Sequence, residues 1–425
     1  MSAGVRAGYK QTEMGVVPMN WQVSSLGGLV EYIKGFPFRA SDYQQHGIRI
    51  IRVSDTKIDG IRQDAGIFIA VNKISQYRRW VLRESDLIVS TVGSKPPMYD
   101  SMVGKATLAT RNDAGALLNQ NAVILRSRSW SPHGQKILHC HLQQERYIKH
   151  LEGIFRGNAN QASITLRELF EYPIAIPSDE NEQRAIATAL SDVDALLSGL
   201  DSLIAKKQNL KQAAMQQLLT GQTRLPGFSG EWGTKLIGEF ADCTSGGTPS
   251  TSMANYWGGS IRWMSSGELN LKVVTEVEGR ITEDGLRNSS AKMVPANCVL
   301  IGLAGQGKTR GTVAINLVTL CTNQSIAAIL PNPAFVPEYV YYNLDARYDE
   351  LRGLSTGDGG RGGLNLTIIR SLGVPFPTLP EQTAIATVLS DMDTELAALQ
   401  ARLGKTRVLK QGMMQELLTG RIRLV

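Results

Sequence analysis

Three short motifs in this 425-residue chain combine residue types that could do chemistry. Residues 302–309, GLAGQGKT, fit the G-x4-G-K-S/T pattern of a phosphate-binding loop. Such a loop binds a nucleotide only when a helix follows it, because N–H groups at the helix N-terminus hold the phosphates. The residues that follow, RGTVAINL, are rich in β-branched types and lack helical spacing. We therefore expect a Gly/Lys loop between two strands.

The other two motifs suggest a metal site and a methyltransferase. His139, Cys140 and His141 are metal-ligand types, and two further histidines are nearby. Adjacent residues of a helix cannot face one ion, and no second cluster completes four ligands. We therefore expect core and helix-surface residues here. Residues 95–98, KPPM, share two prolines with the amino-methyltransferase motif D/N-P-P-F/Y/W but differ at both outer positions. The sequence thus favours a non-catalytic protein.

An internal repeat is the strongest feature of the sequence. Residues 182–225 and 381–424 align without a gap, and 24 of these 44 positions are identical. Weaker similarities precede each copy, such as Asn119-Gln120 and Asn323-Gln324 before two apolar runs. The chain is therefore two copies of a unit of roughly 200 residues. Each copy is a divergent block followed by a nearly identical segment, which suggests different targets for the blocks and a shared task for the segments.

Each repeated segment is predicted to form one long helix of about 40 residues, because its apolar residues follow a heptad spacing. Thr378 with Glu381, and Asp179 with Glu182, resemble N-terminal capping boxes. Both helices begin acidic and end basic, which favours antiparallel pairing. Glycines 221 and 420 stand where C-terminal caps belong. The seam residues are Ile186, Leu190, Val193, Leu197, Leu200 and Ile204 in the first copy, and Ile385, Leu389, Met392, Leu396, Leu399 and Leu403 in the second.

The blocks outside the helices mix short β-rich runs with Gly-rich turns and a few helices, which predicts an α+β fold. We expect a first domain over 1–177, a first repeated helix over 178–225, a second domain over 226–377 and a second helix over 378–425. The predicted architecture is two α/β domains separated by two long antiparallel coiled-coil helices, related by a pseudo-two-fold duplication. One variable domain would then lie at each end of a rod.

Composition and charge narrow the function classes. Hydrophobic residues make up 42% and charged residues 20%, as in ordinary globular proteins. No apolar run approaches the ~20 residues of a membrane span, and no signal peptide is evident, so we expect a soluble cytoplasmic protein without membrane contact. The net charge is +7, and residues 1–177 hold 22 Lys/Arg against 14 Asp/Glu. This surplus is compatible with a polyanionic partner such as double-stranded DNA.

The arrangement resembles the specificity (S) subunit of type I restriction–modification enzymes over essentially the whole chain. The similarity is carried by the helix openings, a proline shortly before EQ-x-AIA at 177–187 and 377–386, and by the LLTG ends at 218–221 and 417–420. The opening YKQTEMGVVPMNW is also similar to that family's start. The first helix opening has SDEN where the second has TLP and is one residue longer, which leaves the geometry of its cap open.

The resemblance implies two target-recognition domains, each of which reads one half of a split DNA sequence. The repeated helices would set the spacing and bind two methyltransferase (M) subunits. S-adenosylmethionine and ATP would be bound by partner subunits and by no residue of this chain. The resemblance leaves open whether restriction (R) subunits join the complex. It also implies a prokaryotic source and a non-catalytic role in host defence.

Candidate DNA-contacting residues are polar or basic side chains on Gly-containing loops, at roughly matching places in both copies. Apolar residues beyond the heptad seam are candidates for binding a partner if they are exposed. The DNA candidates are Ser94, Lys95, Arg156, Asn158, Asn160 and Gln161 in the first block, and Gln306, Lys308, Arg310, Arg361 and Asn365 in the second. The partner candidates are Leu210, Met215, Leu218, Leu219, Met413, Met414, Leu417 and Leu418.

Two other function classes stay open at this point. One is an enzyme, either a phosphate-loop NTPase or a specificity chain that acts beside a fused methyltransferase-nuclease. The other is a coiled-coil scaffold that does not contact DNA. Binding of a cofactor by the isolated chain would favour the first class. Failure of the assembled complex to select any DNA sequence would favour the second.

Overall fold

The computed structural model describes residues 6–64, 66–98, 100–128, 131–158, 161–305, 308–354 and 363–424. Three candidate DNA-contacting residues, Asn160, Gln306 and Arg361, lie outside these described residues. The chain folds as two units. The first unit is Met1–Leu200 with Arg402–Val425, and the second unit is Asp201–Ala401. No helix in the described part of the chain is both long and apolar enough to cross a membrane.

The first unit is built from short strands, as the alternation of β-branched residues with glycine predicts. Its strands are β1 (Tyr9–Thr12), β2 (Gly15–Pro18), β3 (Trp21–Ser25), β4 (Val30–Lys34), β5 (Ile48–Ile51), β6 (Thr56–Lys57), β7 (Gly60–Ile61), β8 (Ile67–Ile69), β9 (Leu87–Ser90), β10 (Val92–Gly93), β11 (Ala106–Leu108), β12 (Leu117–Leu118), β13 (Ala122–Ser127), β14 (Arg156–Asn158), β15 (Gln161–Ser163) and β16 (Pro173–Pro177). Its helices are α1 (Leu26–Leu29), α2 (Pro132–His141), α3 (Glu145–Ile154), α4 (Leu166–Phe170) and the start of α5 (Glu180–Leu218), with 3-10 helices Ala40–Asp42, Val53–Asp55, Val71–Trp80 and Arg111–Asp113.

The second unit repeats this plan, and the part of it that the structure describes has fewer strands than the first unit. Its strands are β17 (Gly233–Leu236), β18 (Cys243–Ser245), β19 (Trp257–Met264), β20 (Val273–Val274), β21 (Arg280–Ile281), β22 (Met293–Val294), β23 (Val299–Gly302), β24 (Val313–Asn316), β25 (Leu320–Thr322), β26 (Ile326–Ile329) and β27 (Gly373–Phe376). Its helices are α6 (Ile237–Phe240), α7 (Glu283–Arg287), α8 (Pro337–Asp345), α9 (Tyr348–Gly353), α10 (Leu366–Arg370) and the start of α11 (Leu379–Leu417), with 3-10 helices Ala254–Tyr256 and Ser266–Leu271.

The main sheets of the two units have the same strand order. The first unit has a sheet β11-β9-β13-β4, and the second has β24-β23-β26-β18 with β20 added beside β24. A parallel pair lies beside the main sheet in each unit, β5 with β12 and β19 with β25. An antiparallel pair, β3 with β16 and β17 with β27, joins the start and end of each block. The duplication therefore extends through the divergent blocks and confirms the predicted fold class.

The main sheet of each unit is buried on both faces. In the first unit, Val89 lies in one hydrophobic cluster with Leu151 of α3, whereas the adjacent Ile88 lies in another with Ile51 of β5. Side chains alternate between the two faces of a strand, so the consecutive apolar residues Leu87, Ile88 and Val89 of β9 supply both clusters. Strand β23 of the second unit alternates between α8 and β19 in the same way.

The long helices α5 and α11 each have 39 residues and pair in antiparallel fashion within each unit. In the first unit, Asp194 near the start of α5 pairs with Lys410 near the end of α11, at 2.8 Å. In the second unit, Asp393 near the start of α11 pairs with Lys211 near the end of α5. These pairs join the acidic starts to the basic ends and confirm the predicted orientation.

Glu182 and Glu381 do not cap their helices as the sequence predicts. The carboxylate of Glu182 accepts hydrogen bonds from Arg423 at 2.8 Å and from the Trp21 indole N–H at 3.2 Å. The same cluster forms in the second unit from Glu381, Arg224 and Trp232. Its signal in the sequence is that all three residue types recur at matching places in both copies.

In each unit, the Glu–Arg–Trp cluster joins the segment that follows one long helix to the start of the other long helix. Both carboxylates are buried, with side-chain exposures of 0% and 2%. A buried carboxylate is stabilised only when its oxygens are hydrogen-bonded or paired, so the helix ends are held to one register. Asp179 does act as the predicted cap, because its Oδ1 accepts from the backbone N–H of Asn181 at 2.9 Å.

Candidate nucleic-acid interface

Loops of the first unit gather at one end of the main sheet. Strand β9 ends there, since Ser90 pairs with Ala122 at the start of β13, and β4 ends beside them, since Lys34 pairs with Val123. We call this the loop end of the sheet. Gly35 follows β4 so closely that a Cβ atom would lie 1.8 Å from the carbonyl oxygen of Asn119. The repeated Asn-Gln pair therefore marks a tight crossing of two loops.

Five candidate DNA-contacting residues come together beside the loop end. They flank a small sheet in which β10 pairs with β15, and β15 pairs with β14. A glycine at 157, with φ +107°, allows the β14–β15 hairpin, because a Cβ there would lie 2.2 Å from the Gln161 carbonyl oxygen. The residues are Ser94 and Lys95, directly after β10, with Arg156 and Asn158 on β14 and Gln161 on β15.

Arg156 and Lys95 have different electrostatic environments. Arg156 donates two hydrogen bonds to Glu168, at 3.0 and 2.7 Å, so its charge is largely neutralised although its side chain is 61% exposed. Hydrogen bonds from Thr165 and then Arg156 lower the pKa of the Glu168 carboxyl. Lys95 is exposed, and its ammonium lies 5.6 Å from the centre of the Phe155 ring. Lys95 is thus the better of the two for a phosphate contact.

The second unit presents an equivalent loop end. Strand β23 ends at Gly302, which pairs with Ile326 at the start of β26, and β18 ends beside them. Lys308 is exposed on the connection that leaves this end. That connection leads to β24, which pairs antiparallel with β23. A strand thus stands where a phosphate-binding loop requires a helix, which confirms the expected loop between two strands.

Two candidates in the second block have environments that the sequence did not indicate. Arg310 is only 9% exposed, so its guanidinium is enclosed by the protein and is not the exposed loop cation that we expected. Asn365 is exposed, but its Oδ1 accepts from the backbone N–H of Ile368 at 2.9 Å and caps α10. Thr165 caps α4 in the first unit in the same way. The capping role accounts for a polar residue at this place in both copies.

Most of the candidate partner-binding residues are buried, in contrast to the exposure that the prediction required. The last turns of the long helices, with the residue that follows each, pack against the domains, where their apolar residues join hydrophobic cores. Leu218 and Leu219 lie in the core of the second unit, and Met414, Leu417 and Leu418 lie in a core of the first unit. Met215 and Met413 are half-buried against the same cores.

Leu210 differs from these residues because its side chain is exposed. It is 46% exposed, and Leu203, seven residues earlier on the same helix, is 38% exposed. Residues seven apart lie on the same face of a helix, so the two leucines form a short apolar stripe. Of the eight candidates, Leu210 is therefore the one available to a partner.

His139 and His141 belong to the interior of the first unit. Both are buried on α2, where His141 bonds to the carbonyl of Ala175 and His139 to the side chain of Gln143. Burial lowers the pKa of His139 to about 3 and that of His141 to about 4. Among the described residues, no group of three or more His, Cys, Asp or Glu is placed to hold a metal ion.

A family model described as the type I restriction modification DNA specificity domain matches residues 18–211 and 229–405. The two matches cover most of the chain, one for each copy of the repeat. The chain belongs to this family. The resemblance that the helix openings and LLTG ends indicate is thereby confirmed, and the chain is a type I specificity subunit with two such domains.

Individual relatives in the family are distant in sequence. The EcoR124I/EcoR124II type I restriction enzyme specificity subunit of Escherichia coli is 28% identical over 226 residues, 52% of this chain and 55% of that protein. The predicted MjaX type I restriction enzyme specificity subunit of Methanocaldococcus jannaschii is 25% identical over 435 residues, 98% of this chain and 97% of that protein. The chain thus spans about half the length of the first relative and nearly all of the second.

Solved structures share the fold. The S subunit of a type I restriction–modification system from M. genitalium superimposes with a TM-score of 0.62 at 16% identity, and covers 94% of this chain and 96% of that one. A chain from a structural study of complex assembly and conformational transition in the type I system superimposes with a TM-score of 0.57 at 17% identity, over 96% and 99% of the two chains. At these identities the similarity supports the architecture alone.

Proposed function

We propose that this specificity subunit reads a split double-stranded DNA target, with one unit for each half, and has no catalytic role. The observation that carries this proposal is the pair of equivalent loop ends. The same strand order presents different polar and basic loops in the two units, with Lys95 in one and Lys308 in the other. Two copies of one framework with unlike loops suit the recognition of two unlike sequences, because bases are read by side chains on the loops.

We further infer that methyltransferase (M) subunits bind the long helices and that restriction (R) subunits can join the complex in a prokaryotic cytoplasm. The exposed stripe of Leu203 and Leu210 supports an apolar contact on α5. S-adenosylmethionine and ATP would be bound by these partner subunits. The helices would set the distance between the two half-sites.

The test is base-resolution methylome sequencing of a host that expresses this chain with its cognate M subunit. We expect one methylated motif with two short defined halves around a fixed gap. Replacement of residues 232–377 by the corresponding block of another family member is expected to change one half only. Replacement of the first block is the matched control and is expected to change the other half.

A complex that assembles but methylates no defined motif would contradict the proposal and favour a scaffold. The NTPase alternative has its own test. Lys308→Ala would abolish any ATP hydrolysis by the isolated chain under that alternative. Under our proposal the isolated chain does not hydrolyse ATP, and Lys308→Ala weakens only the binding of DNA.

A further inference from the structure

The 3-10 helix Val71–Trp80 is held to the first unit by aromatic side chains. The Trp80 ring lies 4.5 Å from that of Phe36, and the Tyr77 ring lies 5.0 Å from that of Phe38, measured between ring centres. The Trp80 indole N–H also donates to the Lys34 carbonyl at 2.9 Å. Runs of 3-10 helix this long are uncommon because their hydrogen-bond geometry is poor, so the aromatic cluster supplies the support that the backbone lacks.

This 3-10 helix lies at the loop end of the sheet. Lys34 is the last residue of β4, and Phe36 lies two residues further along, with its N–H bonded to the Leu118 carbonyl at 3.0 Å. The residues that anchor the 3-10 helix are therefore at the end from which Ser94 and Lys95 also leave the sheet. Neither periodicity nor any motif marked this segment in the sequence.

The exposed face of the 3-10 helix is cationic. Arg78 and Arg79 are both exposed, as is Gln76 beside them. Among the residues that the structure describes, neither guanidinium has an ion pair or a side-chain hydrogen bond with the protein. Lys73 on the same segment differs, because it pairs with Asp42 at 2.7 Å. An exposed guanidinium without a protein partner keeps its five N–H donors for a ligand.

We propose that the 3-10 helix Val71–Trp80 is a DNA-contacting element of the first unit, with Arg78, Arg79 and Gln76 directed at the half-site which that unit reads. This inference rests on the proposed function. Guanidinium groups bind phosphates and guanine edges through paired hydrogen bonds, and a glutamine amide binds adenine in the same manner. The rigid aromatic anchor holds the backbone of the element in place, so only the long side chains must be ordered on binding.

The corresponding stretch of the second unit, between β19 and β23, carries paired charges where the first unit has Arg78 and Arg79. Glu276 pairs with Arg262 at 3.1 Å and with Arg280 at 2.7 Å, and Glu268 caps the 3-10 helix Ser266–Leu271. A guanidinium that is held by a carboxylate is less available to a phosphate, so we assign no equivalent element to the second unit. The element therefore makes the first half-site the more dependent of the two on arginine contacts.

The test uses the full chain assembled with its M subunits and a duplex that contains the methylated motif. The double variant Arg78→Ala/Arg79→Ala is compared with Arg111→Ala, an exposed arginine at the opposite end of the same sheet, after the C-terminal end of β11. We expect the double variant to bind about tenfold more weakly or worse, and Arg111→Ala to bind like wild type. For each lost phosphate contact, the slope of log affinity against log salt should fall by about 0.9.

Methylome sequencing distinguishes the failure of this inference from the failure of the proposed function. If wild type yields a split motif, and the double variant matches Arg111→Ala in both affinity and motif, the DNA-contacting role of the 3-10 helix is overturned. If wild type yields no motif, both proposals fail. Relaxation of only the half assigned to the first block, by the double variant or by Gln76→Ala, supports base contact. An unchanged thermal unfolding midpoint would establish that the exposed variants still fold.

Discussion

The first and second units agree in their buried polar contacts and differ in their exposed loops. Each unit holds a buried glutamate between an arginine and a tryptophan, Glu182 in one and Glu381 in the other. On the surface, the first unit presents Arg78 and Arg79 of the 3-10 helix Val71–Trp80, whereas in the corresponding stretch of the second unit Glu276 pairs with two arginines. A buried carboxylate depends on particular partners, whereas an exposed loop can change without cost to the core.

This difference explains why the two copies are similar in sequence in the long helices and divergent in the blocks. The identity of a helix residue is constrained by the side chain that it contacts within its unit, as Lys410 contacts Asp194. The loops are constrained at fewer points, such as the tight crossings at Gly35 and at Gly246, where a Cβ would lie 1.9 Å from the Thr322 carbonyl oxygen. Each such crossing leaves the neighbouring side chains free to differ between the units.

Acid is expected to destabilise the first unit more than the second, and this is the largest effect that we predict. All five histidines of the chain lie in the first block. Burial lowers the pKa of His139 to about 3 and of His141 to about 4, below the value of about 6.5 expected in the unfolded chain. The unfolded state therefore binds more protons below pH 6.5, and stability falls as the pH falls toward 4. At pH 5 the loss is about 2 kcal/mol for each histidine.

Hydrogen exchange at pH 7.5 and pH 5, corrected for intrinsic rates, measures the free energy of opening in each unit separately. We expect the loss in α2 and the strands around it, with little change in β23 to β26. The variant His46→Gln is a control, because His46 is exposed. Equal losses in the two units would argue against a role for the buried histidines.

Removal of an arginine from a Glu–Arg–Trp cluster should destabilise one unit only. The variant Arg423→Met leaves the buried carboxylate of Glu182 with the Trp21 indole as its remaining partner among the described side chains. We expect the first unit to lose about 3 kcal/mol of unfolding free energy, since an uncompensated buried charge is costly. Urea unfolding followed by hydrogen exchange would show which of the two units has lost stability.

Two further variants make this test specific. Arg421→Met removes an arginine whose side chain is 58% exposed and which lies 3.4 Å from Glu416. It should cost about 0.5 kcal/mol or less, as exposed pairs do. Arg224→Met should lower the stability of the second unit and leave the first unchanged. If either cluster variant lowers both units equally, the clusters do not act within single units.

The sequence predicted the repeat, the long helices and their antiparallel pairing because these follow from local spacing and from charge along one helix. It also named Ser94 and Lys95 as candidate DNA contacts on a Gly-containing loop, but that they lie beside the β14–β15 hairpin is known only from the structure. The role of Glu182 was not predictable in this way, because its partner Arg423 is 241 positions distant. Burial of Leu418 likewise depends on tertiary packing, and the 3-10 helix Val71–Trp80 has no periodicity that would identify it.

The two glycines after the long helices should differ in their tolerance of a side chain. Both are left-handed, with φ +73° at Gly221 and +67° at Gly420. A Cβ at Gly420 would lie 2.4 Å from Pro18, whereas one at Gly221 would lie 3.2 Å from the Trp232 ring. We expect a cost of about 1 kcal/mol for Gly221→Ala and about 2 kcal/mol for Gly420→Ala in thermal or chemical unfolding.

A third glycine provides the control for this prediction. Gly199 lies within α5, and a Cβ there would meet nothing within 4 Å. Gly199→Ala should therefore stabilise the chain by up to about 1 kcal/mol, through its helix propensity. Equal costs at positions 221 and 420 would imply that the left-handed backbone, and not the close approach of Pro18, determines the effect.

The smallest effect concerns Asn365, which is both a candidate DNA contact and the cap of α10. Asn365→Ala should cost about 1 kcal/mol of unfolding free energy, as should Thr165→Ala in the first unit. Asn365→Ser keeps a hydroxyl that can cap the helix but removes the amide that could bind a base. If Asn365→Ser is stable and the motif is unchanged, Asn365 is only a cap. If it is stable but the half-site read by the second block relaxes, the amide contacts DNA as well, and the capped helix positions it there.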